Sequence, residues 1–183
     1  MKRGGFSMIE LLVVLALAAV LLAIALPNMQ TLIMQQRLRV SVNDLFAAID
    51  LTRSEAIGRG SRVELAPADP LGISWSQGWV VFVDRNANQR PDPGDEVIFS
   101  HGPVADGITM ASVFSSGHGP TYIAYNGAGR SCSATSTLAA RWGTVSLFQG
   151  KNTRRIKINM LGRVRVCDPL QQAQTCGGVP EPL

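Results

Sequence analysis

Two stretches of the chain carry residue types whose spacing could do chemistry. Asp84, Asn86, Asn88, Asp92 and Asp95 fall at positions 1, 3, 5, 9 and 12 of an EF-hand-like loop, an alternation by which oxygen ligands converge on a hard cation such as calcium. The departures are equally plain. Gln89 stands where the turn glycine belongs, Pro91 and Pro93 stiffen the loop, the flanks read as strands, and Asp95 is shorter than the usual bidentate glutamate. A solvated hairpin loop built on Asx turns is the alternative. The second stretch is a block of charge. No acidic residue occurs between Asp106 and Asp168, whereas Arg130, Arg141, Lys151, Arg154, Arg155, Lys157, Arg163 and Arg165 all lie there, in a chain whose net charge is only +4.

Strand periodicity says where part of that charge points. If Ile156, Ile158 and Met160 face inward, Arg155 and Lys157 face outward. Across a turn near Leu161-Gly162, Val164 and Val166 form the inward pair, and Arg163 and Arg165 project outward as well. Four cations on one hairpin surface attract an anionic polymer, and arginine forks suit phosphate. The alternative is a solvated or subunit-contacting basic face. Trp75, Trp79 and Trp142 are expected to be packing residues. With no aromatic cluster beside the arginines, binding would be phosphate-dominated and tolerant of sequence.

Enzymatic chemistry finds no support. His101 and His118 sit in Gly/Pro-rich stretches and are expected as solvated loop residues. No H-E-x-x-H or G-x-S-x-G pattern occurs, and the three cysteines lack zinc-ligand spacing. No cofactor is expected, calcium at the Asp84 loop being the one candidate. In an oxidising compartment Cys167 and Cys176 could close a small loop containing Asp168-Pro169, leaving Cys132 free, while pairing of Cys132 with either partner is the competing arrangement.

The elements that must position these groups begin with an apolar helix. Every residue from Leu11 to Leu26 is apolar, and counting back to Phe6 gives 21 positions in which Ser7 and Glu10 are the polar members. Such a helix is about 31 Å long, enough to span a bilayer core. Lys2 and Arg3 would stay cytoplasmic. No small-residue cleavage site follows the apolar run, as it would in an ordinary secretory signal. Glu10 near the end of a spanning helix is costly and demands a partner.

Pro27 should bend the helix without ending it. Beyond it Met29, Leu32, Ile33, Leu38, Val42, Leu45, Phe46, Ile49 and Ile57 recur at helical spacing, predicting an amphipathic helix that packs on a sheet and ends at Gly58 and Gly60. Strand-like runs follow at 62–66, 78–83, 96–100, 121–125, 143–148, 154–160 and 163–167. One spine helix followed by strands implies an α+β fold with antiparallel sheet. Three parts are expected after residues 1–5: a transmembrane half-helix at 6–27, an amphipathic half at 28–58, and a β-rich domain at 59–183. Residues 179–183 are expected to be poorly ordered.

The order Lys2-Arg3-Gly4-Gly5 then Phe6-Ser7-Met8-Ile9-Glu10-Leu11 resembles the class III signal of type IV prepilins. By that resemblance a prepilin peptidase cuts between Gly5 and Phe6 and methylates the new amino terminus. Glu10 becomes the fifth mature residue and pairs with the α-amino group of a neighbouring subunit during assembly. The segments Thr52-Arg53-Ser54-Glu55-Ala56-Ile57, Gln77-Gly78-Trp79-Val80-Val81-Phe82-Val83-Asp84 and Gly162-Arg163-Val164-Arg165 are similar to the GspH/FimT family of minor pilins and pseudopilins. That likeness implies a pilin-like fold in which two β-sheets pack on the C-terminal half of the helix.

For function, the resemblance implies a non-enzymatic minor pilin near the filament tip that helps initiate assembly. The glycine-arginine element is similar to one through which FimT-type members bind DNA in natural transformation, pointing to double-stranded DNA at Arg155, Lys157, Arg163 and Arg165. A GspH-type minor pseudopilin of a type II secretion system is the alternative. Implied partners are major and minor pilins or pseudopilins, the prepilin peptidase, an inner-membrane assembly platform and membrane lipid. The chain would be a single-pass inner-membrane protein with a periplasmic domain before assembly, and part of a pilus or pseudopilus afterwards.

Overall fold

The computed structural model describes residues 7–115 and 121–181, and of residues 24–28 the backbone alone. Two compact units are distinguished, Met1–Gln36 and Arg37–Leu183. Helix α1 runs over Met8–Arg59 without interruption at Pro27. Ser7 and Glu10 start it as a capping box: the Ile9 N–H donates to Ser7 Oγ at 3.3 Å, and the Ser7 N–H donates to Glu10 Oε2 at 3.2 Å. Gly5, Phe6 and His118 lie outside the described residues.

Within the first unit the apolar side chains from Met8 to Leu22 are exposed. Among the described residues no helix is long and apolar enough to cross a membrane, but the span expected at 6–27 includes Phe6 and the side chains of 24–27, which are not described. Met29, Leu32 and Ile33 are exposed too, and burial along the helix begins at Leu38. Phe46 and Ile57 also stand partly in solvent. The expected packing face was therefore too long, because periodicity identifies an apolar stripe and not what covers it.

In the second unit Leu38, Val42, Leu45, Ala48, Ile49, Thr52 and Ala56 are buried at intervals of three or four residues. Gly60, in the left-handed region at φ 61°, lets the chain turn away after the helix. Strands β1 (Val63–Pro67), β2 (Trp79–Val83), β3 (Glu96–His101) and β5 (Ile123–Tyr125) form one sheet in the order β3-β2-β1-β5, all pairs antiparallel. Strands β4 (Thr109–Phe114), β6 (Gly143–Gln149), β7 (Asn152–Ile158) and β8 (Val164–Cys167) form a second, in the order β4-β6-β7-β8. The fold is α+β, as expected, with one strand more than the sequence reading supplied.

One apolar cluster joins the buried helix residues to the inner faces of both sheets through Val63, Leu65, Trp79, Val81, Val145, Leu147, Ile156 and Ile158. The first sheet is buried on its other face as well, where Ala66, Val80, Phe82 and Ala124 meet Tyr122, Cys132 and Ala134. The segment 126–142 supplies that cover. It is tied down by the Cys132 N–H donating to the Ala124 carbonyl at 2.9 Å and the Ala134 N–H donating to Tyr122 Oη at 3.0 Å.

Candidate functional site

Strands β6, β7 and β8 are joined by short turns that set their register. Gln149 pairs with Asn152 across Gly150 and Lys151, with Gly150 at φ 56° in the first central position, the primed-turn geometry that matches strand twist. That turn places Thr144 beside Lys157, and the next turn places Lys157 beside Arg165. Thr144, Lys157 and Arg165 thus form one row across the outer face of the second sheet.

Two residues further along each strand a second row follows on the same face, since side chains alternate with period 2. It holds Trp142, Asn159 and Arg163, closed by the Asn159 N–H donating to the Arg163 carbonyl at 3.1 Å. Gly143 separates the rows on β6. Together they line a groove of about 640 Å³. Trp142 is 45% exposed, whereas Trp75 and Trp79 are buried. The expectation that the tryptophans pack holds for Trp75 and Trp79, whereas Trp142 stands half in solvent, a single ring beside the arginines. The signal was present in the Gln149-Gly150-Lys151-Asn152 turn, whose register puts Trp142 opposite Asn159.

Gly162 holds the hairpin tip against the first sheet. Its φ is 78°, and a Cβ there would come within 2.6 Å of the Gly129 carbonyl oxygen and 2.7 Å of Tyr125 Cε1. Tyr125 Oη donates to the Gly162 carbonyl at 3.1 Å, and Ser131 Oγ donates to the Asn159 carbonyl at 2.9 Å. Asn159 Oδ1 accepts from the Leu161 and Arg163 N–H groups at 3.0 and 2.9 Å. The glycine of the Gly162-Arg163-Val164-Arg165 element is therefore a packing residue that fixes where Arg163 stands. Met160, expected to face inward, is exposed because β7 ends at Ile158 and Met160 lies in the turn. Val166 keeps inward parity but is 38% exposed on the edge strand.

The carboxyl-terminal segment crosses the same outer face. Cys167 and Cys176 form a disulfide, and Cys132 is a free, buried thiol that burial pushes up to about 11. Arg155 donates to the Cys176 carbonyl at 2.5 Å and to the Val179 carbonyl at 3.3 Å. Lys157 donates to the Gly177 carbonyl at 2.8 Å, and Arg165 to the Thr175 carbonyl at 2.6 Å. Thr109 Oγ1 on β4 donates to Glu181 Oε1 at 2.9 Å, so the tail runs from β8 across to β4. Of the terminal residues 179–183, Val179 and Glu181 make these contacts, and 182–183 lie outside the described residues.

The block of eight cations is consequently divided. Arg141 is buried, its guanidinium 4.3 Å over the Phe114 ring and 3.8 Å over the Tyr122 ring. Arg154 pairs with Asp168 at 2.6 Å, Lys151 caps the far end of the β6–β7 hairpin, and Arg155 lies half-buried under the tail. Lys157, Arg163 and Arg165 remain at the groove, and Arg163 is exposed with no ion pair among the described residues.

In the loop at Asp84 the carboxylates serve the backbone. Asp84 Oδ1 accepts from the Ala87 N–H at 2.7 Å and Oδ2 from the Gln89 N–H at 2.9 Å. Asp95 accepts from the Arg85 and Asp92 N–H groups at 2.9 and 3.1 Å. Asp92 Oδ1 accepts from the Gly94 N–H at 2.9 Å and Oδ2 from Asn86 Nδ2 and Asn88 Nδ2 at 2.6 and 2.9 Å, and the Gly94 N–H first, with these amides, holds its carboxyl below the ordinary range. Ala87 and Gln89 take φ of 60° and 61°. These are Asx-turn contacts, and among the described residues no group of three or more His, Cys, Asp or Glu side chains could hold a metal.

His101 departs from its expected role as a solvated loop residue. It ends β3, stacks on the Trp79 ring at 4.2 Å between centroids, and places Nε2 3.5 Å from Asp44 Oδ2 on α1. The pairing of Trp79 with His101 across β2 and β3 makes that stack possible.

Comparison with known proteins bears on the fold and the amino terminus. Residues 1–26 match the prokaryotic N-terminal methylation motif, and residues 41–162 match the family model of the type II transport protein GspH. The chain is 37% identical over 103 residues to the pilin-like protein PilA1 of Thermus thermophilus, a match covering 55% of this chain and 61% of that protein. The chain thus spans about three fifths of that curated relative. The crystal structure of the type IV minor pilin FimU of Pseudomonas aeruginosa superposes with a TM-score of 0.55 at 17% identity, covering 73% of this chain and 90% of that one. The minor pseudopilin EpsH of Vibrio cholerae gives a TM-score of 0.48 at 14% identity, covering 72% and 96%. By its sequence this chain belongs to the GspH family of pilins and pseudopilins, and it opens with the methylation motif of such proteins.

Proposed function

We propose that this chain is a minor subunit of a type IV pilus, incorporated at or near the tip, where it helps initiate assembly and binds DNA through the basic end of its second sheet. Residues 1–5 are the leader, cut between Gly5 and Phe6 by the prepilin peptidase. The half-helix 6–27 anchors the precursor in inner-membrane lipid, residues 28–58 continue it, and 59–183 form the periplasmic domain. Glu10, which caps its own helix through Ser7, exchanges that contact for the Phe6 amino group of a neighbouring pilin at the assembly platform.

The observation that carries the DNA reading is the gathering of Lys157, Arg163 and Arg165 along one groove. Cations so placed hold successive phosphates and release counterions, so affinity falls steeply as salt rises. Full chain in detergent micelles should bind unrelated duplexes in a salt-sensitive way. Binding by Arg163→Ala/Arg165→Ala equal to that of the parent overturns the reading. The match of residues 41–162 to a type II transport protein favours a second reading, a minor pseudopilin of a secretion machine. Deleting the gene and scoring transformation against exoprotein export separates the two.

A further inference from the structure

Duplex phosphates need only charge, and charge does not account for Trp142. A large aromatic ring at the start of an otherwise well-packed strand is 45% exposed, on the face and in the row that carry Arg163. Its backbone is fixed rather than loose: the Ser115 N–H donates to the Trp142 carbonyl at 2.8 Å, and the Trp142 N–H donates to Ser115 Oγ at 3.2 Å. Gly143, next in line, cannot carry a side chain, since a Cβ there would meet Phe114 Cδ1 at 2.2 Å. That Cβ would point to the inner face, so what Gly143 fixes is the close approach of β4 and β6 beneath the indole.

The tail sharpens the same point. It crosses the outer face over Arg155 and Ser146, where a Cβ on Gly178 would come within 2.8 Å of Arg155 Nε and 3.0 Å of Ser146 Oγ. A rigid duplex laid flat along the whole row of cations would meet this strap. What stays accessible is the end of the sheet, with an aromatic platform at one side, Arg163 at the other and Lys157 and Arg165 behind. A ring that stacks a base and cations that hold the adjoining phosphates are the two parts of a site for unpaired nucleotides.

Building on the DNA reading above, we infer that the groove between Trp142 and Arg163 takes a single-stranded stretch of nucleic acid, one base stacking on the Trp142 indole while Arg163, Lys157 and Arg165 hold the flanking phosphates. Stacking is indifferent to base identity, so recognition is of strandedness and not of sequence.

The test compares fluorescein-labelled mixed-sequence oligonucleotides, single-stranded and duplex, binding to the full chain in detergent micelles at low salt. The single strand should bind about tenfold more tightly than the duplex, and Trp142→Ala should remove that preference while leaving duplex affinity within about twofold. Trp142→Phe, which keeps an aromatic face, should retain most of it. Single-strand binding should also quench the exposed indole, a signal that does not depend on Trp142→Ala folding. Equal or tighter duplex binding, with Trp142→Ala without effect on either ligand and no quenching, overturns this inference and leaves the DNA reading standing. Failure of both ligands to bind overturns the two together.

Discussion

The Arg62 Nε lies 2.8 Å from the Glu64 Oε1, and the Glu64 side chain has no exposure to solvent. The pair sits on the face of β1 turned from α1, beneath segment 126–142, with Asp84 Oδ2 4.0 Å from Arg62 Nη2. Arg62 also donates to the Ala134 and Asp84 carbonyls. The approach of Arg62 to Glu64 is close but poorly directed, so neither atom completes a hydrogen bond. The pairing is Coulombic, and burial is not fully offset.

Burial accordingly pushes the Glu64 carboxyl up to about 7 from 4.5, against the pull of Arg62. Between those values the folded chain keeps a proton that the unfolded chain has released. The contribution of this group is complete below about pH 4.5 and is lost as pH rises through about 7, an effect of about 3 kcal/mol. Urea unfolding of the parent and of Glu64→Gln at a series of pH values checks this. The stability of the parent relative to the variant should fall across that window.

The Cys167–Cys176 bridge is expected to hold the tail over β7 and β8. Reduction, or Cys167→Ser/Cys176→Ser, should cost about 2–4 kcal/mol of stability and bring protease cleavage within 176–181. Limited proteolysis with and without reductant is the measurement. Unchanged cleavage would show that the contacts of Arg155, Lys157 and Arg165 hold the tail unaided.

Gly162→Ala combines a left-handed backbone with an overlap at the Gly129 carbonyl. It should destabilise the chain by about 1–3 kcal/mol. The denaturant midpoint should fall, and groove affinity should fall with it where the hairpin tip shifts. Gly150→Ala, whose added Cβ meets open space, should lose stability through its backbone conformation alone and leave the groove unchanged.

Arg141 ties the sheets together through Phe114 on β4 and Tyr122 ahead of β5, and its guanidinium also donates to the Tyr122 carbonyl. Arg141→Lys keeps the charge but not the planar stacking surface. It should lose about 1–2 kcal/mol, read as a lowered urea midpoint at unchanged slope.

The sequence by itself determined the helix, seven of the strands, the outward parity of Lys157 and Arg165, and the motif at Gly5, Phe6 and Glu10. These depend on local periodicity, on turn glycines and on residue order. Strand β4 escaped because Ser112, which accepts from Trp75 Nε1 at 3.3 Å, puts a polar residue on the inward phase, and its partner β6 lies some thirty residues on. Tertiary structure alone decided that Glu64 is buried, that the tail takes Arg155 out of the basic face, and that His101 stacks on Trp79. The row holding Trp142 and Arg163 is intermediate: two turns set its register, yet its exposure depends on what else covers the sheet. Alternation assigns a side chain to a face, while covering that face requires segments distant in the chain, and no local pattern records which of them arrives.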